Sequence, residues 1–112
     1  MAGEWKFWFL QFVTGAILVA LVLTHLSLFI GNGYHIDNSY NEIQAHLSSP
    51  AWAAFYIIFL TIVLYHSHNG LRNILSEWTG GHHDKLVTAI VIVLGVVFWI
   101  IGMHTILYFL VR

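Results

Sequence analysis

Three long apolar runs, separated by two polar stretches, organise the chain. They extend from about Phe7 to Ile30, from Ala51 to about Leu75 and from about Leu86 to Val111. Each exceeds the ~20 residues a helix needs to cross a hydrocarbon core of about 30 Å. The pattern predicts an all-α integral membrane protein, a single domain over residues 1–112 with three transmembrane helices. The polar stretch 31–49 carries the turn-formers Gly31, Asn32 and Gly33 and ends at Pro50, the sole proline, well placed to open the second helix. The stretch 77–85 contains Gly80-Gly81 and is short enough for a tight helix–helix connection. The first run is too long for the core of a signal peptide and is preceded by Glu4 as well as Lys6, so it reads as a retained helix. The length leaves no room for a soluble enzymatic domain.

Composition agrees with lipid as the main solvent. Of the 112 residues, 59% are hydrophobic and only 8% are charged, and the mean hydropathy is +0.79. No cysteine is present, so the chain can form neither a disulfide nor a cysteine-ligated iron–sulfur cluster. A net charge of -1 without a basic patch argues against a nucleic-acid partner. Lys6, Arg72 and Lys85 fall on one side of a three-helix arrangement, opposite the stretch holding Asp37 and Glu42. Cytoplasmic flanks collect Lys and Arg, which gives a cytoplasmic N-terminus in a prokaryotic inner (plasma) membrane. Arg112 departs from this rule. Trp5, Trp8, Trp52 and Trp78 near the helix ends fit an aromatic belt.

Eight histidines stand beside only nine charged side chains. His25, His66 and His104 lie within the apolar runs, with His68 beside the second. Intramembrane polar residues usually face the protein interior or a site, and each of these can equally serve as a helix–helix hydrogen-bonding residue. On the second helix, His66, Gly70, Asn73 and Glu77 share a narrow stripe, so a histidine is followed one turn later by a residue with no side chain. A flat macrocycle could approach there, and haem iron takes neutral imidazole as an axial ligand. His68 sits about 200° from His66 around the helix, so both cannot bind one haem face. The first helix has a comparable stripe of Gln11, Thr14, Leu18, Leu21 and His25. On the third, Thr88, Gly95 and Gly102 recur at seven-residue spacing and read as a close-packing seam.

The run His66-Ser67-His68-Asn69-Gly70-Leu71-Arg72, followed by Glu77-Trp78, resembles the haem-ligand helix of the cytochrome b membrane-anchor subunits of succinate dehydrogenase and fumarate reductase. In that family a histidine is followed at four residues by glycine and at eleven by an acid, here His66, Gly70 and Glu77. The first helix, Leu10 to Gly15 leading to Thr24-His25-Leu26, and the segment Leu47 to Pro50 through Phe55-Tyr56 resemble the C-terminal half of single-chain dihaem anchors. There are departures: Phe12 stands where many members have a quinone-site arginine, Glu77 where aspartate is commoner, and Trp78 where a quinone-contacting tyrosine is often found.

The resemblance implies a non-catalytic subunit of a respiratory oxidoreductase that carries electrons between an iron–sulfur subunit and membrane quinone, the substrate. It implies as partners a flavoprotein subunit, an iron–sulfur subunit, a second three-helix anchor and membrane lipid. It also implies two haem b groups shared with the second anchor, His66 and His25 being axial ligands. Cofactor-binding residues would then be His25, His66, Gly70, Arg72 (for a propionate) and Trp78 (for quinone). Depth supports two haems: His25 lies about 8 Å inside a helix ending at Ile30, His66 about 22 Å from Ala51 on the same side. His104, about 10 Å from the outer end of the third helix, is the rival ligand. Two alternatives remain in play: a haem-free structural anchor, and a b-type cytochrome subunit of another respiratory enzyme.

Overall fold

A computed structural model describes residues 4–30 and 40–112. Its helices are α1 Glu4–Ile30, α2 Tyr40–Leu47, α3 Pro50–Trp78 and α4 Asp84–Leu110. No strand occurs among the described residues. α1, α3 and α4 are each long and apolar enough to cross a membrane. Their lengths of 27, 29 and 27 residues correspond to about 40–44 Å, so their ends reach the headgroup region. The turn expected at Gly31, Asn32 and Gly33, with Asp37, lies outside the described residues.

Local chemistry sets the helix ends. Pro50 occupies the first turn of α3 behind an extended Ser49, where its missing N–H costs nothing, and the Ala53 N–H donates to the Ser49 carbonyl at 2.9 Å. At the other end α3 runs three residues past the expected Leu75. It stops in a Schellman motif: the Gly81 N–H donates to the Ser76 carbonyl (2.9 Å) and the Gly80 N–H to the Glu77 carbonyl (3.1 Å). Both glycines have positive φ, 65° and 79°, which a side chain would strain. The Ser76 hydroxyl donates to the Asp84 carboxylate, joining the end of α3 to the first turn of α4, where an acid complements the helix dipole.

α2 departs from the loop expected over 31–49. Tyr40, Ile43 and Leu47 recur at helical spacing, so one side of this short helix can rest on the bundle while its polar side stays in the interface. Tyr40 packs against Phe109 of α4, and the Arg112 guanidinium lies 4.0 Å over the neighbouring Tyr108 ring.

α3 is the central helix, with α1 on one flank and α4 on the other; among the described residues α1 and α4 do not pack on each other. Among the described apolar residues only Leu18, Leu28, Ala53, Val87, Val91 and Ile106 are buried. Lipid is as apolar as leucine, so helix association rests on close approach and interhelical hydrogen bonds. The expected seam of α4 provides that approach. A Cβ on Gly102 would lie 2.6 Å from Leu60 Cδ2, and one on Gly95 would lie 3.6 Å from the His68 ring. Thr24, Thr61, Ser67 and Thr105 turn their hydroxyls onto carbonyls of their own helices at 2.7–3.0 Å, as a dry environment demands.

Gly80→Ala should destabilise the α3–α4 connection by about 1–2 kcal/mol, the cost of a left-handed L-residue. Unfolding in mixed micelles measures this, with helix content by circular dichroism unchanged before the transition. An unaltered midpoint would show that the turn does not limit stability.

Candidate functional site

α1 and α3 interlock through a reciprocal pair of glycines. Gly15 of α1 receives the His66 ring, whose Cε1 would lie 3.2 Å from a Cβ there, and Gly70 of α3 receives the Gln11 amide, also at 3.2 Å from a would-be Cβ. The space above Gly70 thus admits Gln11 within this chain. Gln11 Nε2 donates to the His66 carbonyl at 3.1 Å, and Gln11 Oε1 accepts from Asn69 Nδ2 at 2.8 Å. His66 Nδ1 lies 3.0 Å from Thr14 Oγ1. The Thr14 hydroxyl is 2.7 Å from the Leu10 carbonyl, which can only accept. When that hydrogen goes to the carbonyl, Thr14 accepts from Nδ1–H and the His66 lone pair resides on Nε2.

Nearer the N-terminal end of α3, Tyr56 bridges two histidines. Its hydroxyl is 3.0 Å from His25 Nδ1 and 3.2 Å from His46 Nε2. Phe29, Tyr56 and Phe59 present edges to the His25 ring at centroid distances of 5.0, 5.5 and 5.6 Å. With one hydroxyl hydrogen, Tyr56 donates to one imidazole and accepts from the other. When it accepts from His25 Nδ1–H, His25 Nε2 is left bare. The cluster borders a cavity of about 480 Å³ whose other walls include Leu60, Val63, Gly102 and Ile106. Burial holds the His46 imidazole, on α2 outside the spans, below the ordinary histidine range, and the neighbouring His25 adds to the effect.

The remaining candidates fall elsewhere. His68 turns to α4, its Nδ1–H donating to the Leu64 carbonyl at 2.9 Å. Arg72 shares that side: its Nε donates to Thr88 Oγ1 at 2.9 Å, about 120° around the helix from His66. Arg72 and His66 therefore face different flanks of α3. Trp78 ends α3 and is 83% exposed. His104 is exposed on α4, and its neighbours Thr105 and Ile106 line the cavity beside His25. Sequence reasoning passed over Tyr56 and His46. The signal was depth: Tyr56 lies about 9 Å along α3 from Pro50, nearly the level of His25. Among the described residues no three His, Asp or Glu side chains gather for an ion. What the arrangement offers instead is single imidazoles, those of His25, His66 and His68 oriented through Nδ1 by a partner on another element or on their own backbone, as metal-binding histidines are.

Fold and site define a membrane subunit of three spans with hydrogen-bonded histidines inside the bilayer. The chain belongs to the succinate dehydrogenase/fumarate reductase transmembrane subunit family, whose model matches residues 3–103; such membrane anchors are non-catalytic components of their complexes. It is 31% identical over 78 residues to the succinate dehydrogenase hydrophobic membrane anchor subunit of Archaeoglobus fulgidus, covering 70% of this chain and 66% of that protein. With the subunit of the same description from Thermoplasma acidophilum it shares 33% identity over 69 residues, 62% of this chain and 56% of the relative. The chain thus spans less than two thirds of the length of either relative. No solved structure matches it.

Gln11→Ala should cost about 1 kcal/mol, and a double-mutant cycle with Asn69→Ala should give a coupling near ~0.6 kcal/mol, typical of interhelical bonds in lipid. Zero coupling would separate the two amides energetically. A second expectation concerns pH. Because the folded His46 titrates below the ordinary range, the unfolded chain binds more protons there. The stability this group contributes is present above the ordinary imidazole range and is lost as pH falls through the depressed folded value. Hydrogen exchange in α2 should accelerate on acidification beyond the intrinsic chemistry, and His46→Gln should abolish that component.

Proposed function

We propose that this subunit anchors the flavoprotein and iron–sulfur subunits of a succinate dehydrogenase or fumarate reductase to the cytoplasmic face of a prokaryotic plasma membrane. It pairs with a second three-helix anchor, contributes His66 and His25 to two haem b groups shared with it, and walls part of a quinone pocket. The observation that carries the reading is the family match over residues 3–103 on a chain with three spans. The names of the archaeal relatives, membrane anchors of succinate dehydrogenase, agree with it.

The residues fit haem on the chemistry of their donors. His66 keeps a bare Nε2 when Thr14 accepts its Nδ1–H, and His25 does so when Tyr56 accepts. When bound, haem b would supply one-electron transfer between the iron–sulfur subunit and quinone. This chain's share is to hold the two imidazoles in orientation and to exclude water from their surroundings. Gly70 admits the Gln11 amide that holds the His66 carbonyl, Trp78 stands at the quinone-facing helix end, and His104 is not a ligand. The positive flanks at Lys6, Arg72 and Lys85 put the N-terminus in the cytoplasm.

A haem-free anchor is the second reading, favoured by the same hydrogen bonds: His66 to Thr14 and His25 to Tyr56 already give both rings structural partners. Reduced-minus-oxidised spectra separate the two, since a complex without a b-type signal is the haem-free case. A b-type cytochrome of another respiratory enzyme would co-purify without the flavoprotein.

In potentiometric titrations of the complex, His25→Ala and His66→Ala should each remove a different b-haem component, while His68→Ala and His104→Ala remove neither. Loss of the same component from both mutants, or a single haem in the wild type, would overturn the two-haem assignment. For topology, tags at Met1 and in the Gly80-Gly81 turn should be protected from external reagents in sealed right-side-out vesicles, and a tag near Asn38 should be accessible. The reverse pattern inverts the orientation.

A further inference from the structure

The flank between α3 and α4 carries a groove that neither imidazole of the proposed haem sites enters. A cavity of about 560 Å³ is lined by Leu64, His68, Arg72, Thr88, Gly95 and Trp99, among others. Its walls are mostly apolar, and its polar groups are largely engaged: Trp99 Nε1 donates to Thr61 Oγ1 at 3.1 Å and His68 Nδ1 is held by the Leu64 carbonyl. At one end a second cavity of about 420 Å³ shares Arg72, Thr88 and Ile92 with the first and adds Lys85 and Asp84. Asp84 is occupied by the Ser76 hydroxyl. Arg72 uses Nε on Thr88 and one Nη, at 3.4 Å, on Asn73 Oδ1. That braces the guanidinium at the mouth with a further nitrogen available. Lys85 beside it is exposed.

The dimensions select an occupant. Along α3 the trough runs from Arg72 to Thr61, about 16 Å at 1.5 Å per residue, which is one leaflet of a 30 Å core. A cationic mouth at the headgroup level above an apolar trough one leaflet deep matches an anionic phospholipid. We propose that the α3–α4 groove binds one such lipid, its phosphate at Arg72 and Lys85 and an acyl chain along Gly95 towards Trp99. A neutral quinone needs no pair of cations at the mouth. A phosphate does, and each Lys or Arg near an anionic lipid contributes about 1 kcal/mol, roughly fivefold in affinity. The site stands independently of whether the subunit carries haem.

The test is native mass spectrometry of the full chain, with any subunits that co-purify, in mild detergent supplied with equal phosphatidylglycerol and phosphatidylcholine. The wild type should retain one phosphatidylglycerol in preference to phosphatidylcholine. Lys85→Gln should lower that preference about fivefold, and Arg72→Gln with Lys85→Gln about 25-fold, close to parity. Lys85 is exposed, so the single variant keeps the proposal testable if the double variant misfolds. No preference in the wild type would overturn the proposal, as would a preference unchanged by Lys85→Gln. Loss of haem from the double variant with lipid retained would assign the mouth to a propionate instead. A groove that binds quinone, or that takes up lipid only after a second anchor subunit is removed, would likewise refute it.

Discussion

The rest of this fold depends on how closely α3 can be approached. With lipid outside and little apolar burial within, the helices gain contact where one backbone is bare enough to admit the other's side chain. At the α1 interface the exchange runs both ways: Gly15 admits His66 and Gly70 admits Gln11. At the α4 interface it runs one way, Gly95 taking His68 and Gly102 taking Leu60. α3 is therefore the helix that supplies polar side chains in two directions, and its neighbours supply room for them.

This arrangement explains why the interhelical hydrogen bonds involve so few residues. A side chain seated in a glycine notch lies within reach of the opposing backbone, so Gln11 can engage the His66 carbonyl and the Asn69 amide together. Each bond is modest in lipid, because a separated helix also finds partners for its polar groups. Their effect is to fix rotation and register. Rotating α3 by one residue would move His66 away from Thr14 and carry His68 out of the Gly95 notch, so both flanks hold the same register.

Much of this was legible from the sequence. Run lengths defined the spans, the stripe Gln11, Thr14, Leu18, Leu21 and His25 marked the α3-facing side of α1, and seven-residue spacing marked the α4 seam. The angle between His66 and His68 separated their faces. What the sequence did not disclose were contacts between elements whose relative depth must be known first. Arg72 looked like a companion of His66 by proximity in the chain, yet it turns to Thr88. Gly70 read as room beside His66, and which side chain of α1 enters that room, Gln11, was not disclosed. α2 was hidden because eight residues of mixed polarity carry a weak periodic signal, and its place depends on Tyr56 and Tyr108 from distant segments.

The two histidine clusters differ in what holds them. Around His66 the partners are an amide, a hydroxyl and backbone, all from helices that cross the bilayer, so its orientation is as rigid as the α1–α3 packing. His25 is oriented through Tyr56, and Tyr56 is shared with His46 on a short helix in the interface. Local opening free energies are lowest where few buried contacts anchor an element, and none of the residues of α2 is buried. A displacement of α2 would release Tyr56 to a single partner and so alter the hydrogen bond that selects the His25 tautomer. His66 is set by the transmembrane fold itself, whereas His25 is coupled through a single phenol to a segment that answers to the aqueous side.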